Sequence, residues 1–331
     1  MKEITYAQAI SEAIDEEMQR DDHVFMLGED IGIKGGNFGQ TQGLYEKYGV
    51  WRIQDTPISE NSFVGVALGA ALTGLRPIVE IMYSDFLVIA GDQIFNQIAK
   101  IRYMSGGQAK VPLTLCTTIG MGRSTAAQHS QSLQAIVSHI PGLKVVMPST
   151  AVEAKGLLKT AIRDDNPVIF FEHRMEFNQK YQVPEEEVLI PFGKANIVKE
   201  GNDITVVGIA RQVINTLRVS EKLAQEGIDI EVIDLRTIVP MDKNTIINSV
   251  KKTGKLLIVD EGYERCGVAA EIGMDLIKDV FFDLDLPIER ISSQNVPVPF
   301  SPILEEEVMP TEEKIYNRIK RMMEGQKENN G

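Results

Sequence analysis

Cysteine is scarce in this chain: Cys116 and Cys266 are the two in 331 residues, far apart and each within an apolar run. That excludes a disulfide framework, and both read as reduced, buried thiols of a cytoplasmic protein. Basic clusters are missing as well. Lys plus Arg is 34 against 47 Asp plus Glu, a net charge of −13, which disfavours nucleic-acid backbone binding. The longest apolar stretch, Phe63 to Leu75, is rich in Gly and Ala and falls short of the roughly 20 residues that span a bilayer. The N-terminus, Met1-Lys2-Glu3-Ile4-Thr5, has no apolar signal region, so a soluble, untargeted chain is expected. No H-x-x-x-H, H-E-x-x-H or C-x-x-C spacing supports a metal centre, and no G-x-S-x-G supports a serine hydrolase. A single dinucleotide-like string, Gly120-x-Gly122-x-x-Thr125, lacks the acidic residue required about 20 positions later.

What remains is an ordinary globular composition, 43% hydrophobic and 24% charged, long enough for two domains of ~150 residues. Thr5 and Gln8 form a capping-box pattern, followed by Tyr6, Ile10, Ala13, Ile14 and Met18 at helical spacing. Runs rich in Val, Ile and Phe lie at Val24–Leu27, Pro77–Ile81, Val111–Thr117, Lys144–Met147 and Pro167–Phe171. Helical patterns separate them, at Ser59–Gly74, Asp85–Tyr103, Gln131–His139 and Thr150–Arg163. Fully apolar strands alternating with helices predict an α/β fold with a parallel sheet covered on both faces. The texture changes around 181–200, which includes the run Glu185-Glu186-Glu187 and two prolines, and is read as a linker. Alternation restarts at Ile204–Gly208 and ends in an amphipathic helix at Glu312–Met323. The expected domains are therefore 1–180 and 201–325, with a disordered tail at 326–331.

Ligands of parallel α/β sheets sit at the carboxyl ends of the strands. Four polar clusters follow predicted strands: Gly28-Glu29-Asp30, Asp55 to Glu60, Ser84-Asp85-Phe86, and Gln128-His129-Ser130. Glu60 opens a helix containing Gly65, Ala67, Gly69, Ala70, Ala71 and Gly74. A carboxylate near a helix N-terminus is favoured by the macrodipole alone. However, glycine inside a helix costs about 1 kcal/mol per residue, which close contact with another chain would offset. An acid enclosed at such a contact would be desolvated, as a proton-shuttling group requires. His129 lies in a polar loop with partners and access. His23 and His139 read as structural, and His173 is ambiguous.

Together, Gly28-Glu29-Asp30, RIQDTPISE (52–60), Gly74-Leu75-Arg76-Pro77, AAQHSQS (126–132), Pro141 to Val146, AIRDDNP (161–167), Asp234-Leu235-Arg236-Thr237 and Pro297 to Pro302 resemble one family. It is the beta subunit of the thiamine-diphosphate-dependent first component of 2-oxo acid and acetoin dehydrogenase complexes. The resemblance covers about Ile4 to Met322. It implies a transketolase-like fold, with a pyrimidine-binding domain before a transketolase-type C-terminal domain. It further implies that Glu60 bonds N1′ of the cofactor's aminopyrimidine, that Phe86 packs on that ring and that Glu29 is an acid near it. His129 matches the active-site histidine that orients substrate and assists acyl transfer to lipoamide. A potassium site of mostly backbone carbonyls would fall at Leu113, Ala161, Ile162, Asp164 and Asn166.

The Gly-Asp-Gly motif that anchors the cofactor diphosphate through Mg²⁺ is missing; Gly91-Asp92-Gln93 and Gly201-Asn202-Asp203 do not qualify. The resemblance therefore implies half a site, completed by an alpha subunit that holds Mg²⁺ in an α2β2 heterotetramer, and docking to a dihydrolipoyl acyltransferase core. A homodimeric synthase carrying a whole site is disfavoured. Asp260 to Gly267 (DEGYERCG) and QHSQS resemble acetoin-type members more than pyruvate dehydrogenase. The alternatives are a pyruvate or branched-chain dehydrogenase subunit, or a non-catalytic scaffold of the same fold. The run GMGRST (120–125), beside His129, matches no family pattern.

Overall fold

The computed structural model describes residues 1–325; the expected tail at 326–331 lies outside the described residues. The chain begins with strand β1 (Lys2–Thr5) and helix α1 (Tyr6–Arg20). The capping box forms: the Gln8 amide donates to Thr5 Oγ1 at 3.1 Å and the Thr5 amide to Gln8 Oε1 at 2.8 Å. Next come β2 (Val24–Gly28), α2 (Leu44–Tyr48), β3 (Ile53–Asp55), α3 (Glu60–Leu72), β4 (Arg76–Ile81), α4 (Ile101–Met104), β5 (Thr114–Ile119) and α5 (Gln134–Ser138). The first half closes with β6 (Lys144–Val146), α6 (Ala151–Arg163), β7 (Val168–His173) and β8 (Lys180–Val183). The second contains β9 (Asn196–Lys199), β10 (Ile204–Gly208), α7 (Arg211–Ala224), β11 (Ile230–Asp234), β12 (Thr237–Val239), α8 (Lys243–Thr253) and β13 (Leu256–Tyr263). It ends with α9 (Val268–Val280), β14 (Glu289–Ser293), α10 (Pro302–Val308) and α11 (Glu312–Met323).

A seven-stranded sheet runs β12-β6-β7-β5-β4-β2-β3, and a five-stranded sheet runs β14-β13-β10-β11-β9. All pairs in the first sheet are parallel except β12 with β6. Strand alternation divides its side chains cleanly. Leu27, Val79, Ile81, Leu115 and Phe171 enter a core beneath α3, while Met26, Ile78, Cys116 and Phe170 face α1 and α6. The α3-side core continues without a break into the second half through Val207, Ile233, Ile258 and Ile272.

Two readings of the sequence are corrected. The helix expected over Asp85–Tyr103 is broken into a 3-10 turn (Ser84–Val88), a π-helical segment (Gln93–Ile98) and α4. Ser84 Oγ donates to the Gln131 carbonyl at 2.7 Å and Gln131 Nε2 to Asp85 at 2.8 Å, tying the first turn to another loop. Val88, Ile89 and Gly91 then offer weak helix propensity. Cys266 is exposed, not buried, at φ 53 in the turn before α9, although Cys116 is buried as expected. Within the expected linker at 181–200 lie most of β8, which pairs with β1, and all of β9, which pairs with β11.

Helices α1 and α6 are joined by ion pairs as well as by packing. Lys155 is almost fully buried, with Nζ 2.6 Å from Glu16 and 2.9 Å from Glu12, and Lys159 Nζ lies 2.6 Å from Glu16. Burial works against ionising Glu16, yet the bonds from Lys155 and Lys159 outweigh it and hold the carboxyl below the ordinary range. A carboxyl depressed in the folded state contributes stability above its unfolded pKa and loses it as pH falls through the folded one. Unfolding free energy should therefore fall more steeply below about pH 4 in the native chain than in Glu16→Gln. Denaturant melts across that range measure the difference.

Candidate active site

The register of the first sheet brings four chain segments to one edge. Gly28 is level with Asp55 on β3 and with Glu80 on β4, and Ile81 is level with Thr117 on β5. The residues after these strands therefore converge at their carboxyl ends. The Thr56 amide donates to the Gly28 carbonyl at 2.9 Å, and the Gly32 amide to Asp55 Oδ1 at 2.7 Å. These bonds fix the loop after β2 against the segment leading to α3. Glycine is required at position 28, because a Cβ there would stand 2.8 Å from Glu80 Cβ and from its carbonyl oxygen.

Glu60 is the first residue of α3 and is 5% exposed. Glu29 stands near enough to interact with it. Burial pushes the Glu29 carboxyl above its ordinary range, and the charges of Glu60 and then Asp30 push the same way. Glu29 Oε1 is buried without a hydrogen-bond partner among the described residues. Beyond these acids the surface turns apolar, with Trp51, Ile58, Val66 and Leu72 exposed. On α3, a Cβ at Gly65 would meet Gln93 at 3.4 Å, whereas one at Gly69 would meet nothing within 4 Å.

A second group contains Phe86 and His129. The His129 ring meets Tyr83 edge-to-face at 4.9 Å and Phe86 at 5.4 Å, and Tyr83 meets Phe86 at 5.8 Å. Arg174 stacks over Tyr83 at 5.6 Å and donates to the His129 carbonyl at 2.7 Å and to Thr125 Oγ1. Thr125 Oγ1 donates to the same carbonyl at 3.0 Å. Burial raises the Asp85 carboxyl above its usual value, opposed by the Gln131 bond and by His129. The structure thus pairs Glu29 with Glu60 and Phe86 with His129, all at the same sheet edge. Tyr83 and Arg174 escaped the sequence reading. Tyr83 follows β4 directly, so its position was a usable signal; Arg174 follows β7, two strands away from β4 in the sheet.

Glu80 and Glu172 were also missed, each in the middle of an apolar strand. Both are buried on the α1 side of the sheet, and burial pushes Glu172 up to about 8. Burial and then Glu172 raise Glu80 well above the carboxylate range, opposed by a bond from Gln40 Nε2 at 3.1 Å. His173, left ambiguous by the sequence, is buried and bonded to Glu261 at 2.9 Å.

Two of the positions matching a potassium site, Ile162 and Asp164, are bonded by Arg76. Its guanidinium donates to the Ile162 carbonyl at 2.8 Å and the Asp164 carbonyl at 2.7 Å. The Leu113 carbonyl accepts from Val168 and that of Ala161 from the Asp164 amide, and Asp164 Oδ1 accepts both the amide and side-chain N–H of Asn166 at 2.8 Å. Each carbonyl oxygen has a second lone pair, and those of Ile162 and Asp164 already accept from the Arg76 guanidinium. Among the described residues no group of three or more His, Cys, Asp or Glu could hold a metal ion.

With this geometry in hand, comparisons with known proteins identify the family. Residues 2–180 match the family model of the transketolase pyrimidine-binding domain, and residues 193–315 match that of the transketolase C-terminal domain. The beta subunit of acetoin:2,6-dichlorophenolindophenol oxidoreductase from Bacillus subtilis is 46% identical, with 95% of each chain covered. The pyruvate dehydrogenase E1 component subunit beta of Rickettsia felis is 48% identical, covering 97% of this chain and 98% of the relative. A solved split-gene transketolase, an inactive beta4 tetramer, superposes with a TM-score of 0.79 at 20% identity, over 97% of this chain and 98% of that one. The chain belongs to the transketolase-like beta-subunit family of the acetoin and 2-oxo acid dehydrogenases.

Proposed function

We propose that the chain is the beta subunit of a thiamine-diphosphate-dependent dehydrogenase component that cleaves acetoin and passes the acyl unit to lipoamide on a dihydrolipoyl acyltransferase core. The observation that carries this reading is the enclosure of Glu60 beside Glu29 at the carboxyl edge of a parallel sheet. The residues fit the cofactor's aminopyrimidine: a buried acid to bond its N1′ (Glu60), an aromatic ring to pack on it (Phe86) and a neighbouring half-buried carboxyl with one buried, unpartnered oxygen (Glu29). When bound, thiamine diphosphate would supply a nucleophilic carbon and an electron sink beside the substrate carbonyl. Glu60 would hold and exchange a proton at N1′, sheltered from water, with Glu29 beside it. His129, oriented by Tyr83, Phe86 and the Arg174 bond to its carbonyl, stands to position substrate and to assist transfer.

The diphosphate and its Mg²⁺ are assigned to an alpha subunit in an α2β2 assembly. The exposed apolar residues Ile58, Val66 and Leu72 and the open Gly69 face of α3 suit a contact with that subunit. A potassium ion is assigned to the oxygens of Leu113, Ala161, Ile162, Asp164 and Asn166. The charge of −13 would favour a basic docking module of the acyltransferase. The R. felis relative supports pyruvate as a second substrate reading.

Two measurements test the proposal. Glu60→Gln should fold and assemble normally yet lose turnover by about 100-fold or more in the reconstituted pair, followed by dye reduction with acetoin and with pyruvate. Turnover close to that of the native pair would refute the role of Glu60. Calorimetric titration of thiamine diphosphate and Mg²⁺ should give binding to the αβ pair and little to this chain alone. Tight binding by the lone chain would overturn the shared site, and binding by neither would favour a scaffold.

A further inference from the structure

The loop bearing His129 is held by carboxylates from the other half of the molecule. Its conformation is unusual: φ is 110° at Gly120, 96° at Gly122, 52° at Ser124 and 63° at Ala126, all in the left-handed half of the map. For Ser124 and Ala126 such backbone costs on the order of 1 kcal/mol or more each and persists only where its surroundings hold it. Packing gives little support, since Gly122 and Arg123 are exposed and Ser124 to Ala127 only half-buried. Alternating backbone of this kind does, however, turn successive amides inward to form a concave nest for an anion.

A carboxylate fills that nest. Glu305, on α10, is 2% exposed, and it accepts the Gly122 amide on Oε1 and the Ser124 amide on Oε2, each at 2.9 Å. Glu261, on β13, accepts the Met121 amide at 2.5 Å while bonding His173 at 2.9 Å and Gln212 at 3.1 Å. Three amides within four residues are thus anchored by two carboxylates, 140 to 183 positions away in sequence. Met121 itself packs with Val298 and Val308, which flank Glu305 in the chain. The fixed stretch leads directly into Thr125, whose hydroxyl bonds the His129 carbonyl and lies 2.8 Å from Ser130 Oγ. The GMGRST run, which matched no family pattern, is therefore the segment this clamp holds.

We infer that Glu305, seconded by Glu261, is a positioning residue that sets the His129 loop from the C-terminal domain. Its grip is on backbone amides, so it does not depend on the identity of the side chain at 123, while position 122 stays glycine because of its φ of 96°. The inference rests on the proposed role of His129 in transfer to lipoamide, and its test separates the two. In the reconstituted αβ pair, Glu305→Gln keeps one acceptor oxygen and sets an amide N–H₂ against a backbone N–H. The rate of lipoamide acylation should fall by about 10- to 100-fold, in kcat more than in KM, with dye reduction much less affected. Amide hydrogen exchange should quicken across 121–130 and remain unchanged elsewhere in the first half. Glu305→Asp, which withdraws the charge by one methylene, should give the same pattern more weakly, and serves if the Gln variant fails to assemble. His129→Gln is the comparator. Native transfer and native exchange in both Glu305 variants, with transfer lost in His129→Gln, would overturn the clamp. Native transfer in His129→Gln would overturn the reading of His129 instead.

Discussion

Two acidic side chains, Glu60 buried and Glu29 half-buried, are held near one another, and the functional reading depends on that enforced proximity. Left to themselves such groups would separate or share a proton. Here the parallel pairing of β2 with β3 ends both strands at one level, and the bonds from Gly32 to Asp55 and from Thr56 to Gly28 prevent the loops from moving apart. The electrostatic cost is met by the fold. Parallel strands packed on both faces supply the burial, and the glycine at position 28 lets β2 lie close against Glu80.

The sequence conveyed the regular elements well where one physical signal dominated. The Thr5–Gln8 cap, the two-face apolar strands and the α11 stripe each appear in the structure at the positions their patterns indicate. It conveyed poorly whatever is decided by tertiary contact. Nothing in Asp85–Tyr103 announces that Gln131 will capture Asp85 and interrupt a helix. Three residues, Thr237 to Val239, are too few for a strand signal, yet they become the edge of the first sheet. Glu80 and Glu172 were hidden inside apolar runs, where a lone acid reads as noise.

The site shows the same division. Glu29, Glu60, Phe86 and His129 are side chains in distinct local strings, and strings are what a sequence displays. Arg76 can be named from its motif, but its bonds are to the carbonyls of Ile162 and Asp164, which carry no letter of their own. Glu261 and Glu305 are hidden more deeply, because their partners are backbone amides far away in the chain. Functional geometry in this protein is written as much in main-chain groups as in side chains.

The placement of β12 has a thermodynamic consequence. A strand from the second half completes the sheet of the first, Arg236 donates to Glu153 on α6 at 2.9 Å, and the core beneath α3 runs through both halves. Opening either half therefore strips an edge, an ion pair and apolar cover from the other. Heating should meet a single cooperative melting unit, with calorimetric and van 't Hoff enthalpies in agreement, where two separate sheets suggest two.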